Sequence, residues 1–406
     1  MRYLRWLLIT LATVLAGPVM AADAPICRAQ IAHTAPPISA CVGSKRVRIA
    51  AVGDVLLHRP LQRRGYSATD GFKGLWRAAE PIFRAADIAY ANLEGPVAPG
   101  ITRGFNQTAD PGPVFDDRVY SSYPMFNYHP RVIGDLKSAG ITLVSTANNH
   151  AMDRGSRGAD LTIQELNRYN MPFMGTIPAG APRNFITFTQ TDLGPLAWIA
   201  CSYSTNGIRD PNRQVLHCYN DRAELLGLIN RAATRADIAG VIVTPHWGYE
   251  YQHKPNPNQK ALARDMVAAG ATAVIGTHPH VVQPWEFPKR DDGSQALVIY
   301  STGNFVSGQV RLPRRTGALA WIELCRPPPS RDLARAVKPH LAVSQAGWVP
   351  VLMVRTKNGP ELMLAKPDSK GLALDAYRLL ARHLPKNRIS ATIMCQASGN
   401  QLIALQ

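Results

Sequence analysis

Six side chains scattered along the sequence have the chemistry to hold divalent cations: Asp54, Glu94, Asn149, His246, His278 and His280. Carboxylates, an amide oxygen and neutral imidazoles suit hard-to-borderline ions, so the set points to Mn, Fe or Zn. It contains no cysteine thiolate, which disfavours a closed structural zinc site. It holds more donors than one four-coordinate ion takes, and a carboxylate can bridge, so a centre of two divalent cations is expected. Two ions about 3.5–4 Å apart can activate water and stabilise charge on the group being attacked. The sharpest local signal is Thr277-His278-Pro279-His280, because residues i and i+2 of an extended segment face the same side. Taken singly, each residue also has an ordinary reading: Gly53-Asp54 as a turn, Asn148-Asn149-His150 as a loop, a lone histidine as a structural one.

What must position these residues is an alternation of strands and helices. The patterning predicts strands at Val47–Val52, Ile88–Ala91, Ile141–Thr146, Val241–Thr244 and Ala273–Ile275. Between and beyond them it predicts helices at Leu75–Ala86, Arg131–Ala139 (stopped by Gly140), Gly158–Tyr169, Arg222–Ala236 and Gln259–Ala269. Such alternation implies an α/β architecture with helices on a central sheet. The candidate ligands all fall at or just after the ends of apolar strand-like runs. Ligands gather beyond the carboxyl ends of the strands in open α/β sheets, so distant segments are expected to build one rim. Residues 99–129, rich in Pro, Gly, Asp and Tyr, read as a long loop over that rim. Residues 326–348 read as an irregular connection. It leads to strands at Val349–Arg355 and Glu361–Ala365 and a helix at Leu372–Leu384, a β/α extension packed on the main body.

The chain has 406 residues and is 46% hydrophobic, enough to bury a full core. Its formal charge is +17, which favours a polyanionic partner or an anionic surface. No zinc-finger spacing, aromatic RNA-binding string or isolated basic helix accompanies that charge, so nucleic acid is not expected. Arg2 and Arg5 precede an apolar run, Trp6–Ala16, and then Gly17, Pro18 and Val19-Met20-Ala21, the make-up of a secretory leader over residues 1–21. The run is too short to span a bilayer comfortably. Cleavage after Ala21 removes two arginines and leaves +15, and no second stretch of transmembrane length follows. The expectation is a soluble, exported, periplasmic protein, the alternative being an uncleaved N-terminal anchor. Six cysteines, none in a CxxC pair, suit disulfides in an oxidising compartment. Nearest-neighbour pairing, Cys27–Cys41, Cys201–Cys218 and Cys325–Cys395, is the simplest arrangement. The organisation expected is thus a leader (1–21), a disulfide-tied segment (22–44), a main domain (45–325) and the C-terminal extension (326–406).

Six motifs in order carry a family resemblance. They are Gly53-Asp54, Asn92-Leu93-Glu94, Ala147-Asn148-Asn149-His150 with Asp153 and Gly155, His246-Trp247-Gly248-Tyr249-Glu250-Tyr251, Gly276-Thr277-His278-Pro279-His280 with Gln283, and Ser301-Thr302-Gly303-Asn304-Phe305. Over roughly residues 47–325 the sequence resembles the CapA family of capsule-synthesis proteins, associated with poly-γ-glutamate and related to calcineurin-like metallophosphoesterases. The resemblance implies a four-layer α/β/β/α sandwich carrying two metals. It implies that Asp54, Asn149, His246, His278 and His280 are ligands, that Glu94 replaces the bridging aspartate, and that His150 protonates the leaving group. Two departures stand out: Leu56 occupies the position of the superfamily's first-motif histidine, and Asn92-Leu93-Glu94 replaces its bridging motif. One metal position is therefore expected to be weak, and ordinary phosphatase activity is not implied.

The remaining motif residues have milder readings. Asp153 is expected to orient His150. Glu250 either orients His246 or is a solvated carboxylate, and Asn304 either reaches the site or caps its own turn. Asn92 and His58 complete the set of possible supporting or substrate contacts, His58 lying four residues after Asp54. The leading functional expectation is a metal-dependent hydrolase that cleaves poly-γ-glutamate, a cell-wall peptide or a similar anionic envelope polymer, with metal-activated water and His150 as general acid. The alternatives are a non-enzymatic polyanion-binding assembly or export factor working with capsule-synthesis membrane proteins, and a periplasmic phosphodiesterase.

Overall fold

The computed structural model describes residues 27–290, 293–328, 341–396 and 402–405; the expected leader lies outside them. Two sheets face each other. The first has eight strands. From edge to edge it runs Gly359–Leu364, Ala342–Thr356, Thr316–Cys325, Val47–Leu56, Ile88–Leu93, Leu143–Ser145 and Phe173–Met174, and a short strand, Asn304–Ser307, pairs with the end of Val47–Leu56. The second has six: Val282–Glu286, Leu297–Thr302, Ala273–Ile275, Gly240–His246, Leu196–Ser202 and Ile186–Thr189.

Three apolar layers hold these sheets in place. Alternate residues of the central strands point to opposite faces. Ile49, Ala51, Ile88, Tyr90 and Leu143 therefore meet Trp198, Ala200, Ile242, Ile275 and Ile299 of the second sheet between the layers. Ala50, Val52, Ala89, Ala91 and Val144 face outward, onto Leu61, Leu75, Ile82, Val132, Ile133 and Leu166 of flanking helices. On the far side Ile199, Val241, Val243 and Val274 pack on Leu225, Leu228, Ile229, Leu262 and Met266, which belong to the helices Arg222–Ala233 and Pro257–Ala268. The order is α/β/β/α, as the resemblance implied. Both faces of the central strands are covered, which is why they read as continuous apolar runs.

Three expectations need correction. Leu75–Ala86 is not one helix: it breaks into Lys73–Trp76, a 3-10 turn at Arg77–Ala79 and Glu80–Phe83, and the restart places Pro81 in a first helical turn, where its missing N–H does no harm. The C-terminal segment does not merely rest on a finished body. The strand Ala342–Thr356 starts before the expected Val349–Arg355, its 342–352 part pairs with Thr316–Cys325, and Gly359–Leu364 completes that edge, so a boundary at residue 325 runs through a sheet. The helix Gly371–His383 does pack as an added element, inserting Ala373, Ala376, Tyr377 and Leu380 into the layer between the sheets.

Cysteine pairing is the third. The disulfides are Cys27–Cys395, Cys41–Cys325 and Cys201–Cys218; of the expected nearest-neighbour pairs, Cys201–Cys218 alone is realised. The reason is topological. Cys27–His33 pairs antiparallel with Ile389–Gln396, so Cys27 sits opposite Cys395 in register. Cys27–His33, Ile389–Gln396 and Leu402–Leu405 thus form a small separate sheet, which His33 ties to Glu323 of the main sheet at 3.2 Å. Among the described residues no helix is long and apolar enough to cross a membrane.

One backbone contact shapes the rim. The register of Val47–Leu56 against Ile88–Leu93 slips between Ala51 and Asp54, and such a bulge re-aims the side chains beyond it. Asp54 therefore lies inside a bent strand rather than after a finished one. At the bend Gly53 meets the 302–304 turn so closely that a Cβ would sit 1.7 Å from the carbonyl oxygen of Gly303.

Two expectations follow. Gly53→Ala must push the turn carrying Asn304 away from Asp54, lowering stability by about 1–3 kcal/mol in denaturant melts and weakening Mn2+ binding measured by calorimetry. Cys41→Ser with Cys325→Ser removes a link between residues 284 apart in sequence and lowers unfolding free energy by about 2–5 kcal/mol in denaturant melts; an unchanged midpoint in either case contradicts the reading.

Candidate metal centre

Parallel strands deliver the six candidate ligands to one place. Asp54 and Glu94 come from adjacent strands of the first sheet, and His246 from the end of Gly240–His246 in the second. His278 and His280 lie in the loop after Ala273–Ile275. The backbone of that loop is unusual: both histidines have positive φ, 97° and 57°. Side chains other than glycine pay about 1–3 kcal/mol for such conformations, which persist where the surroundings impose them.

Asp54, Glu94 and His280 form one cluster whose ligand atoms all lie within 4.8 Å of one another. His280 Nδ1 is 3.1 Å from Asp54 Oδ2 and 2.9 Å from Asn304 Oδ1, and its Nε2 is 3.8 Å from Glu94 Oε1. Next to it, Asn149 Oδ1 is 2.8 Å from His246 Nε2, which also approaches Glu94 Oε1 at 3.7 Å. The His246 and His278 ring centroids are 4.8 Å apart. All six are buried.

The polar bookkeeping of this pocket does not close on protein atoms alone. Both carboxylate oxygens of Glu94 and Nδ1 of His278 are buried without a hydrogen-bond partner. Burial, then the charge of Asp54, pushes the Glu94 carboxyl well above the usual carboxylate range. Burial drives His246 and His278 well below the ordinary imidazole value, and neighbouring histidines add to the effect. Burial opposes charge on His280 too, but the Glu94 carboxylate and the bond to Asp54 outweigh it and push the group up to about 9. Neutral imidazoles beside unpartnered carboxylate oxygens are what a divalent cation requires of its ligands. The donor set fits.

A second constellation adjoins the first. His150 Nδ1 is held at 2.8 Å by Asp153 Oδ2, which also accepts the Phe126 backbone N–H at 2.6 Å. Phe126 stands edge-on to the His150 ring, centroids 4.8 Å apart. With Nδ1 fixed, Nε2 is the nitrogen left to exchange a proton, the arrangement of an oriented acid–base histidine.

The supporting candidates divide. Asn92 donates to Asp54 Oδ1 at 2.8 Å and lies 3.3 Å from His246 Nδ1, so it steadies both. Of the two readings of Asn304, its bonds favour reach into the site: Oδ1 meets His280 Nδ1 at 2.9 Å, while Nδ2 donates to the Arg314 carbonyl at 2.6 Å, outside the Ser301–Phe305 turn. Glu250 is exposed, yet its carboxylate clusters with His278 and His280. No hydrogen bond joins it to His246, whose Nδ1 instead meets Thr277 Oγ1 at 3.0 Å. His58 sits at the edge with Nδ1 engaged by Leu56 O and Gly308 N, each at 3.2 Å, and burial lowers its pKa to about 4. Two neighbours escaped the sequence reading. Asn206 accepts from Asn149 Nδ2 at 3.1 Å, and the Tyr203 ring lies against His278 with centroids 4.4 Å apart. Both follow the strand Leu196–Ser202, so the strand-end rule applied there finds them.

The family model described as "Bacterial capsule synthesis protein PGA_cap" matches residues 48–309. The "PGA biosynthesis protein CapA" of Bacillus subtilis (strain 168) is 28% identical over 284 residues, covering 67% of this chain and 66% of the relative, just under two thirds of its length. The "Capsule biosynthesis protein CapA" of Bacillus anthracis is 27% identical over 349 residues, covering 81% and 75%. A solved structure, the NAD nucleotidase of Haemophilus influenzae, aligns with a TM-score of 0.45 and 12% identity over 84% of this chain and 57% of that one. The family match takes in more than half of the sequence and every residue of the cluster from Asp54 to His280, and the chain belongs to the bacterial capsule synthesis (PGA_cap) family.

Proposed function

We propose that this chain is an exported, metal-dependent hydrolase acting on an anionic polymer of the bacterial envelope, with poly-γ-glutamate or a γ-glutamyl linkage of a wall peptide as substrate. The observation that carries the reading is the pairing of two constellations on one rim: a buried donor set with unpartnered oxygens on Glu94, and His150 oriented by Asp153. Asp54, Glu94 and His280 would hold one divalent ion, and Asn149, His246 and His278 a second, with Glu94 shared. Mn, Fe and Zn all suit these donors. When bound, such ions supply Lewis-acid chemistry, lowering the pKa of water and offsetting charge on the attacked group.

The chain's own residues do the rest. Water gives up one proton to solvent as its oxygen adds to the carbonyl carbon of the amide, the C–N bond breaks, the departing nitrogen takes a proton from Nε2 of His150, and solvent then returns a proton to His150. Asp153 accepts the Nδ1–H and so keeps the ring in one orientation. Anionic substrate is favoured by the overall charge of +17 and by a cation at the mouth: the Arg314 guanidinium lies 3.4 Å over the Tyr251 ring, itself 6.1 Å from the His280 ring. Three disulfides suit an oxidising compartment outside the cytoplasm, and a cleaved leader over residues 1–21 would deliver the chain there. Work alongside capsule-synthesis membrane proteins is consistent with the family.

The test is cleavage of poly-γ-glutamate by purified, Mn-loaded protein, followed by release of amino groups and loss of polymer length. Removing the cation with a chelator should abolish turnover. His150→Ala should lower kcat by about 10²–10⁴-fold while elemental analysis shows its metal content unchanged. Polymer binding without any turnover, unaffected by chelation, would make the protein a polyanion binder instead. Undiminished turnover in His150→Ala would remove the acid assignment.

A further inference from the structure

We infer that Glu250 is a cation ligand, the solvent-side member of the centre, rather than a solvated surface carboxylate or a support for His246. The inference rests on the metal reading above and adds a residue and a function to it.

The first observation is placement. Ligand atoms of Glu250, His278 and His280 all lie within 4.8 Å of one another, the spacing of groups around one ion. His280 is thus common to two carboxylate clusters: one with buried Asp54 and Glu94, the other with exposed Glu250. The second observation is independent of it. Nδ1 of His278 is buried with no hydrogen-bond partner, and the residue itself is 1% exposed. A buried nitrogen without a partner is costly unless something outside the chain satisfies it.

The third observation is how the backbone brings Glu250 there. The segment from Trp247 to Tyr251 is fastened to the histidine loop at both ends. Trp247 N–H donates to Thr277 O at 3.1 Å, and Tyr251 N–H donates to Pro279 O at 2.7 Å. Between these bonds Gly248 has φ 95° and Tyr251 φ 65°, conformations that fold the short excursion back on itself. Gly248 has no room for a side chain, since a Cβ would lie 2.7 Å from the Gln259 carboxamide. An exposed glutamate usually keeps its rotamer freedom; this one is carried on a backbone held at both ends to the residues it adjoins.

The consequence is an asymmetric centre. Every other ligand is buried, so Glu250 is the member that an incoming substrate meets first. It also lines a cavity of about 250 Å³ together with His278, Tyr203, Tyr219 and Tyr249. Glu250 and His278 therefore both border the space available to substrate.

The test is cation binding, read without any substrate. Full-length protein, stripped with chelator, is titrated with Mn2+ by calorimetry and by the loss of the free-ion EPR signal. Wild type should bind two equivalents. Glu250→Gln should weaken one of them by about tenfold or more, Glu250→Asp should weaken it less, and the cation-free proteins should melt together because the side chain is exposed. Two undiminished binding steps in Glu250→Gln overturn this inference alone. Failure of the wild type to bind Mn2+ overturns the metal reading and the inference together.

Discussion

Two carboxylates shut away from water with too few partners are the constraint around which the molecule is arranged. Glu94 is fully buried, neither of its oxygens accepts a hydrogen bond, and Asp54 stands beside it. Taking an ion out of water costs several kcal/mol even after relaxation, and a like-charged neighbour adds to that. The chain supplies only partial relief through His280 and Asn92. A fold tolerates such a pair where a cation completes it, since metal binding energy is then folding energy.

The surrounding architecture holds those groups together against their mutual repulsion. The slip in register at Ala51–Asp54 turns Asp54 toward His280, and the contact of Gly53 with Gly303 sets Asn304 alongside it. Across the gap, bridging between His246 and Thr277 aligns the ends of two strands of the second sheet, and positive φ at His278 and His280 turns both rings inward. The interlayer core fixes the distance between the two halves: Tyr90 stacks on Trp198, centroids 6.0 Å apart. The layers are therefore not scaffolding in a loose sense. Each sheet contributes part of a donor set that neither could assemble alone.

How much of this could be read from the sequence depends on whether a residue's meaning is local. Asp54, Glu94, Asn149, His246, His278 and His280 announce themselves, because each pairs a ligand-type side chain with the end of an apolar run, and strand ends collect on one rim. His150 with Asp153 is legible for a similar reason, three residues being close enough for a bond. Asn206 carries no such mark: asparagine in a polar loop is ordinary, and only the position after Leu196–Ser202 singles it out. The disulfides Cys27–Cys395 and Cys41–Cys325 are illegible locally, since their pairing follows from which chain ends meet across the sheets. The sequence marks Val349–Arg355 and Glu361–Ala365 as strands, but it reads residues 342–348, which belong to the first of them, as irregular, and it does not show which sheet they join, because the pattern of an edge strand does not name its neighbour.

The charge distribution links the cation centre to the proposed substrate. The chain carries +17 overall, yet its rim concentrates Asp54, Glu94 and Glu250 around imidazoles of which His246 and His278 stay neutral. Such a rim is locally acidic and would repel a polyanion at the very point where a bond must be broken. Bound divalent cations invert that sign, being the largest local charges in a site of this kind. In the proposed reading the ions therefore serve recognition as well as chemistry. The basic surface draws the polymer to the protein over a distance of about a Debye length, some 8–10 Å at physiological salt, and the loaded centre accepts its carboxylates or carbonyls at close range. Arg314 over Tyr251 lies where the two regimes meet, which explains how an acidic centre and a basic exterior can belong to one anion-processing site.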